Sequence, residues 1–114
     1  VAEDTESSYL LVLLMLRKEF EVVHACDGIE AVRLFDEKRP DAVLMDIQMP
    51  GMDGLEATRQ IRQRNTSVPV IAVTAFAYDQ DRQRALDAGC TDYLAKPLTG
   101  DKLLQKLRRL LSGE

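Results

Sequence analysis

The chain has 114 residues, of which 46% are hydrophobic and 30% are charged, and its formal net charge is −4. This length suits one compact domain, and the acidic balance argues against a protein that grips nucleic acid through basic residues. The longest apolar run, Tyr9 to Leu16, is far shorter than the ~20 residues of a membrane span, so we expect no direct contact with a membrane.

Short β-rich runs alternate with segments of helical spacing along the chain. Strands are predicted at residues 21–25, 42–45, 70–73 and 93–95, and a truncated first strand is expected at Val1 and Ala2. Apolar residues of the intervening segments recur at helical intervals, as in Leu103, Leu107, Leu110 and Leu111. Strict alternation of strand and helix predicts an α/β fold with a parallel sheet covered by helices on both faces.

The first predicted helix is apolar nearly all round. Arg17 suggests that one face meets solvent, and the same face carries three leucines, Leu10, Leu13 and Leu14. The opposite face carries Leu11, Val12 and Met15. Two interpretations stay open: a few exposed leucines, which are common, or a docking surface for a histidine-bearing helical partner or a dimer mate.

Charged and polar side chains follow the predicted strands, where parallel strands bring their carboxyl ends to one edge of the sheet. Glu3 and Asp4 follow the first strand, Asp46 ends the third, Thr74 ends the fourth, and Lys96 follows the fifth. Three carboxylates held together repel one another unless a cation intervenes, and an all-oxygen site suits Mg²⁺. A carboxylate can also act as a nucleophile that forms an acyl phosphate.

The motifs around these residues resemble those of the response-regulator receiver family. The resemblance rests on VAED at the N-terminus, MDIQMPGMDG around Asp46, VTA at Thr74 and DYLAKP ending in Lys96-Pro97. The spacing agrees, with 28 residues from Asp46 to Thr74 (74 − 46) and 22 from Thr74 to Lys96 (96 − 74). The sequences of these motifs are most similar to those of receiver domains in hybrid sensor histidine kinases. The family also includes chemotaxis regulators.

The resemblance implies a flavodoxin-like (βα)5 three-layer α/β/α sandwich with sheet order 2-1-3-4-5. It also implies that Asp46 accepts a phosphoryl group from the phosphohistidine of a histidine kinase or a histidine phosphotransfer domain. Mg²⁺ would be held by Asp4, Asp46 and the backbone carbonyl of Gln48, with Glu3 acting mainly through water. Lys96 would pair with the phosphoryl group, and the bond from Lys96 to Pro97 would be cis.

A switch pair is also implied. Thr74 would move toward the phosphorylated aspartate, and Tyr93 would turn inward, which changes the surface formed by the fourth helix, the fifth strand and the fifth helix. That surface, or the first helix, would serve a homodimer. His24, the only histidine, is predicted to be passive, because a phosphodonor histidine is normally presented on an exposed helix.

Other functions fit parts of the pattern. A haloacid-dehalogenase-type phosphatase would need a second aspartate where Gln48 stands, and a flavodoxin-like cofactor binder would need a phosphate-cradling loop after the first strand. A receiver that serves only for docking would not need the full acidic set. We expect residues 1–114 to be one cytoplasmic receiver domain from a longer chain, either a hybrid kinase, which can be membrane-anchored, or a free-standing regulator.

Overall fold

The computed structural model describes residues 1–47, 53–75, 79–96 and 98–112. In chain order its elements are α1 (Glu6–Leu16), α2 (Gly28–Lys38), β1 (Val43–Asp46), α3 (Gly54–Arg64), β2 (Val70–Thr74), α4 (Asp79–Ala88), β3 (Asp92–Ala95) and α5 (Gly100–Ser112). The strands predicted at 42–45, 70–73 and 93–95 are confirmed, and each bound agrees to within one residue.

The sheet is parallel. β1 pairs with β2, and β2 pairs with β3. On the other side of β1, Ala2 forms parallel bridges to both Met45 and Ala25, with backbone hydrogen bonds from Ala2 N to Leu44 O and from Glu3 N to Ala25 O. The segments therefore follow one another across the sheet as second, first, third, fourth and fifth, which confirms the 2-1-3-4-5 order.

The strand predicted at residues 21–25 is wrong over most of its length. Ala25 alone forms a bridge there, and residues 21–24 are not part of a strand. A ladder needs a neighbouring strand in register, and the first segment offers a single bridged residue, Ala2. Backbone hydrogen bonds from the Val1 amino group to Val23 O (2.8 Å) and from Ala25 N to Val1 O (2.9 Å) join the end of this segment to the first one, but they do not form a ladder over residues 21–24.

Helices cover both faces of the sheet. Met45, Val70 and Ala72 belong to one core cluster, which α2, α3 and α4 cover with residues such as Phe35 and Ile61. Leu44 and Ile71 point to the other face and pack with a second cluster from α1 and α5, made of Val12, Leu16, Leu103 and Leu107. This alternation along buried strands confirms the flavodoxin-like α/β/α sandwich.

Side-chain caps fix where three helices begin. The Asp27 carboxylate accepts a hydrogen bond from Glu30 N (2.8 Å) at α2, and the Asp53 carboxylate accepts one from Glu56 N (2.9 Å) at α3. At α5, the hydroxyl of Thr99 accepts a longer hydrogen bond from Lys102 N (3.4 Å). α3, which follows the Asp53 cap, begins directly beside the end of β1.

The outward face of α1 differs in part from the prediction. Leu10, Leu14 and Arg17 are exposed as expected, but Leu13 of the same predicted face is only half-exposed. Leu11 is also exposed (60%), although the sequence pattern assigns it to the opposite face. Val12 and Leu16 are the residues that α1 buries. Within the described ranges, no helix combines the length and apolar character needed to cross a membrane.

Candidate functional site

The polar residues singled out in the sequence meet at the carboxyl edge of the sheet. Asp46 and Thr74 are the last residues of β1 and β2, and Lys96 follows β3 directly. Glu3 follows Ala2, whose bridges to both neighbours fix it between Ala25 and Met45. Glu3, Asp46 and Thr74 are buried, with 5%, 5% and 1% of their surface exposed, whereas Asp4 is exposed.

Three carboxylates converge within this edge. One oxygen from each of Glu3, Asp4 and Asp46 lies within 4.8 Å of the others. Lys96 is the cation that contacts the cluster among the residues that the structure describes, with Nζ 3.1 Å from Glu3 Oε2 and 3.1 Å from Asp46 Oδ2. Three formal negative charges and one positive charge leave an excess of two (3 − 1), which a divalent cation would balance.

Burial and neighbouring charges shift the pKa values of Glu3 and Lys96. Burial raises the pKa of Glu3, and the neighbouring Asp46 adds to the effect, despite the hydrogen bonds from Thr5 N and Lys96. Burial alone would lower the pKa of Lys96, but the hydrogen bonds and charges of Asp46 and Glu3 outweigh it and raise that pKa. Lys96 is therefore a fixed positive charge at neutral pH.

Gly54 allows α3 to begin against the end of β1. A Cβ atom at this position would lie 2.2 Å from Asp46 O and 2.7 Å from Ile47 Cα, closer than side-chain carbons approach backbone. No local sequence pattern indicates that the backbone which Gly54 approaches is that of Asp46. The close contact fixes the strand end that carries the central carboxylate.

Thr74 and Tyr93 occupy different levels of the sheet. Thr74 is paired with Ala95 at the carboxyl edge, and Tyr93 is paired with Ala72, two residues back from Thr74. Tyr93 is half-buried and packs against the core cluster on the α2–α4 face. Burial and the charge of Asp81 raise the pKa of its phenol. The structure thus brings Thr74 to the carboxylate edge and leaves Tyr93 below it.

Two expectations fall outside the described residues. Gln48, whose carbonyl is an expected metal ligand, and Pro97, whose bond to Lys96 is expected to be cis, lie in the gaps of the described ranges.

An apolar cleft of about 420 Å³ opens beside the carboxylates. It runs between α1 and the residues that follow β3, and it reaches both Asp46 and Lys96. Its apolar lining includes Leu11, Val12, Met15 and Leu98. No sequence pattern predicts this cleft, because it depends on how α1 crosses the sheet.

Comparison with known proteins agrees with this arrangement. The family model described as "Response regulator receiver domain" matches residues 1–108. Response regulator MprA of Mycobacterium sp. (strain KMS) is 44% identical over 92 residues, which is 81% of this chain and 40% of MprA. MprA of Mycobacterium leprae (strain TN) is 41% identical over the same lengths. The chain thus spans well under half the length of these curated relatives.

Solved structures give the same result. The receiver domain of sensor histidine kinase PA1611 from Pseudomonas aeruginosa PAO1 superposes with a TM-score of 0.90 at 41% identity, covering 97% of this chain and 93% of that one. That crystal structure contains a magnesium ion in the active-site cleft. Chemotaxis protein CheY4 of Vibrio cholerae superposes with a TM-score of 0.90 at 28% identity, covering 96% and 93%.

The match over nearly the whole chain leaves the phosphatase alternative without support. Together with the carboxylates, threonine and lysine at the sheet edge, it establishes that the chain belongs to the response-regulator receiver family of two-component signalling.

Proposed function

We propose that Asp46 accepts a phosphoryl group from a phosphohistidine in a reaction that depends on Mg²⁺. The observation that carries this proposal is the position of Asp46, a buried carboxylate 3.1 Å from the Lys96 ammonium and clustered with Glu3 and Asp4. In the reaction an Asp46 oxygen attacks phosphorus, the phosphorus–nitrogen bond to histidine breaks, and the imidazole keeps the bonding electron pair. The product is an acyl phosphate.

The residues around Asp46 suit the ion. Asp4 and Asp46 would supply oxygen ligands together with the carbonyl of Gln48, and Glu3 would act mainly through water. Mg²⁺ held by these residues would neutralise charge on the oxygens of the transferring phosphoryl group. Two of the three carboxylates are buried, and the cluster carries an uncompensated charge, which favours a small hard cation at this position.

Lys96 and Thr74 act on the transferred group. The Lys96 ammonium, which contacts Asp46 Oδ2, can move its contact to a phosphoryl oxygen when Asp46 is phosphorylated. The positive charge of Lys96 therefore has a negative partner before and after the transfer. The Thr74 hydroxyl lies at the same edge and donates a hydrogen bond to another phosphoryl oxygen. Tyr93 then turns inward as Thr74 moves, and the surface of α4, β3 and α5 reports the change.

The partner is a histidine kinase or a histidine phosphotransfer domain that docks a helix on α1. In support, Leu10, Leu11 and Leu14 are between 46% and 60% exposed, and Leu11 also lines the cleft that leads to Asp46. A large apolar face beside a reaction centre is typical of a protein interface.

A matched pair of substitutions tests the docking face. Leu14→Glu should slow transfer from a phosphorylated histidine protein, whereas Ile29→Glu, equally exposed but on α2, should not. Equal rates for the two variants would contradict the docking role. If Leu14→Glu instead converts a dimer to a monomer in light scattering and leaves transfer unchanged, the face serves a homodimer.

The parent protein is the remaining part of the proposal. We assign residues 1–114 to one receiver domain of a longer chain, a hybrid histidine kinase rather than a free-standing regulator. Support comes from the similarity to the PA1611 receiver at 41% identity, although MprA, at 44%, is a response regulator. The order of domains in the full-length gene product decides between a hybrid histidine kinase and a free-standing regulator.

Beryllofluoride, which mimics the phosphoryl group, tests the function. With Mg²⁺ present, wild type should show large NMR shifts near Asp46, Thr74 and Tyr93. Asp46→Asn should show none, because it lacks the carboxylate that binds the mimic. A wild-type response equal to that of the variant would overturn the proposal.

A further inference from the structure

His24 and Tyr9 form an aromatic pair next to the carboxylate cluster. Their ring centroids lie 3.6 Å apart with an angle of 5° between the planes, so the rings are stacked. Tyr9 lies in the first turns of α1, and His24 lies just before the bridged residue Ala25. The pair therefore joins the helix that follows the acidic residues to the neighbouring segment of the sheet.

His24 also holds the backbone of Glu3. Its Nε2 lies 2.8 Å from Glu3 O. A carbonyl oxygen can only accept, so Nε2 carries the proton and donates. On the other side of the same residue, Glu3 N donates to Ala25 O at 2.9 Å. Both backbone groups of Glu3 are thus fixed by adjacent residues, one through a side chain and one through the sheet.

The bond to Glu3 O fixes the peptide plane between Glu3 and Asp4. Asp4 is exposed, so its direction depends on the backbone that carries it. The Glu3 side chain is held separately, by Thr5 N (3.1 Å) and Lys96. His24 is consequently the side chain that orients the link between the two acidic residues, and the Tyr9 ring fixes the plane in which the imidazole can donate.

We infer that His24, oriented by Tyr9, is a positioning residue for the acidic pair and raises the affinity of the site for a divalent cation. The inference rests on the proposed function, because it concerns the same cation. His24 does not contact the ion or the phosphoryl group. It acts through the Glu3 carbonyl, in the way that groups behind metal ligands commonly orient them.

Two substitutions separate the hydrogen bond from the ring stack. His24→Phe keeps a ring against Tyr9 and removes the donor, whereas His24→Gln places an amide nitrogen near the position of Nε2 and removes the ring. Changes behind metal ligands typically weaken binding about 10- to 100-fold, and one acting through the backbone should lie near the lower end. We expect about tenfold weaker Mg²⁺ binding for His24→Phe and near-complete recovery for His24→Gln.

The measurement is Mg²⁺ titration followed by NMR, with the Asp4 amide as reporter. In metal-free protein, His24→Phe should shift the Asp4 amide resonance, and His24→Gln should return it toward wild type. Val32→Ala, in the core on the α2–α4 face, serves as the control for loss of stability. It should lower the melting temperature without changing Mg²⁺ affinity.

The outcomes distinguish the two claims. If wild type fails to bind Mg²⁺, the proposed metal site and the role of His24 both fail. If wild type binds and His24→Phe binds equally well, the positioning role alone is wrong. If Val32→Ala weakens binding as much as His24→Phe does at equal loss of stability, the effect of His24 is structural, and the inference is overturned.

Discussion

Replacing Lys96 by methionine removes the ammonium from the carboxylate cluster and keeps most of the aliphatic chain. The Lys96 side chain is 29% exposed, and the side chains of Glu3 and Asp46 are each 6% exposed. Exposed ion pairs contribute ~0–1 kcal/mol, whereas removing one partner of a buried pair costs ~3–5 kcal/mol. This partly exposed cation between two buried carboxylates lies between those limits, and we expect a loss of about 2 kcal/mol.

Urea unfolding at pH 7 with a chelator present measures this loss. For a small domain the midpoint should fall by roughly 1 to 2 M. Lys18→Met, at an exposed position after α1, should leave the midpoint nearly unchanged. Glu3→Gln combined with Lys96→Met should recover part of the loss, because one of the two facing negative charges is gone. Equal midpoints for the two single variants, or no recovery in the double variant, would refute the electrostatic account.

Three further predictions test other parts of the structure. Gly54→Ala should destabilise by about 2 kcal/mol or more, because its Cβ would meet backbone at 2.2 Å, whereas Gly100→Ala, whose Cβ would meet its nearest atom at 3.8 Å, should be neutral or stabilising in thermal unfolding. Burial would raise the pKa of Asp92, but its hydrogen bonds and two flanking cations outweigh it and lower that pKa. Asp92 thus stabilises the fold above its unfolded pKa of ~3.9, and the benefit is lost as pH falls through the lower folded pKa. Asp92→Asn should therefore cost up to about 1 kcal/mol at pH 7, with a gap to wild type that closes as pH falls through the lowered folded pKa of Asp92. Thr74→Ala should still take up phosphate but should lose the phosphorylation-dependent NMR shifts at Tyr93.

Each of these has a result that would contradict it. Equal melting temperatures for the Gly54 and Gly100 variants would show that α3 does not press on the end of β1. A constant stability gap between Asp92→Asn and wild type from pH 7 to pH 2 would place the effect outside the titration of the carboxylate. If Thr74→Ala shows the same NMR shifts at Tyr93 as wild type, the response of Tyr93 does not depend on Thr74.

The features that the sequence predicts share a short-range physical cause. β1 and β2 are continuous apolar runs, which predicts strands buried on both faces, and their carboxyl ends must meet at one edge when the sheet is parallel. For that reason, Asp46, Thr74 and Lys96 can be placed together from the sequence alone. Only the type of each residue and its distance from a strand end are needed.

The features that the sequence does not predict depend on tertiary contacts. When a helix is apolar all round, its sequence does not show which face is buried. For this reason the pattern assigns Leu11 to the wrong face of α1. Residues 21–24 have the composition of a strand, but their pairing depends on a neighbour. The stack of Tyr9 on His24 depends on the crossing of α1 over the sheet, which no local pattern contains.

The most direct test of the central claim is to locate the phosphoryl group. Purified protein is incubated with Mg²⁺ and phosphoramidate, a small donor with a phosphorus–nitrogen bond. Borohydride reduction then marks any acyl phosphate for peptide mass spectrometry. We predict one modified residue, Asp46, and no modification in Asp46→Asn. Label on Glu3 or Asp4, equal labelling of the variant, or an unmodified wild-type protein would contradict the claim.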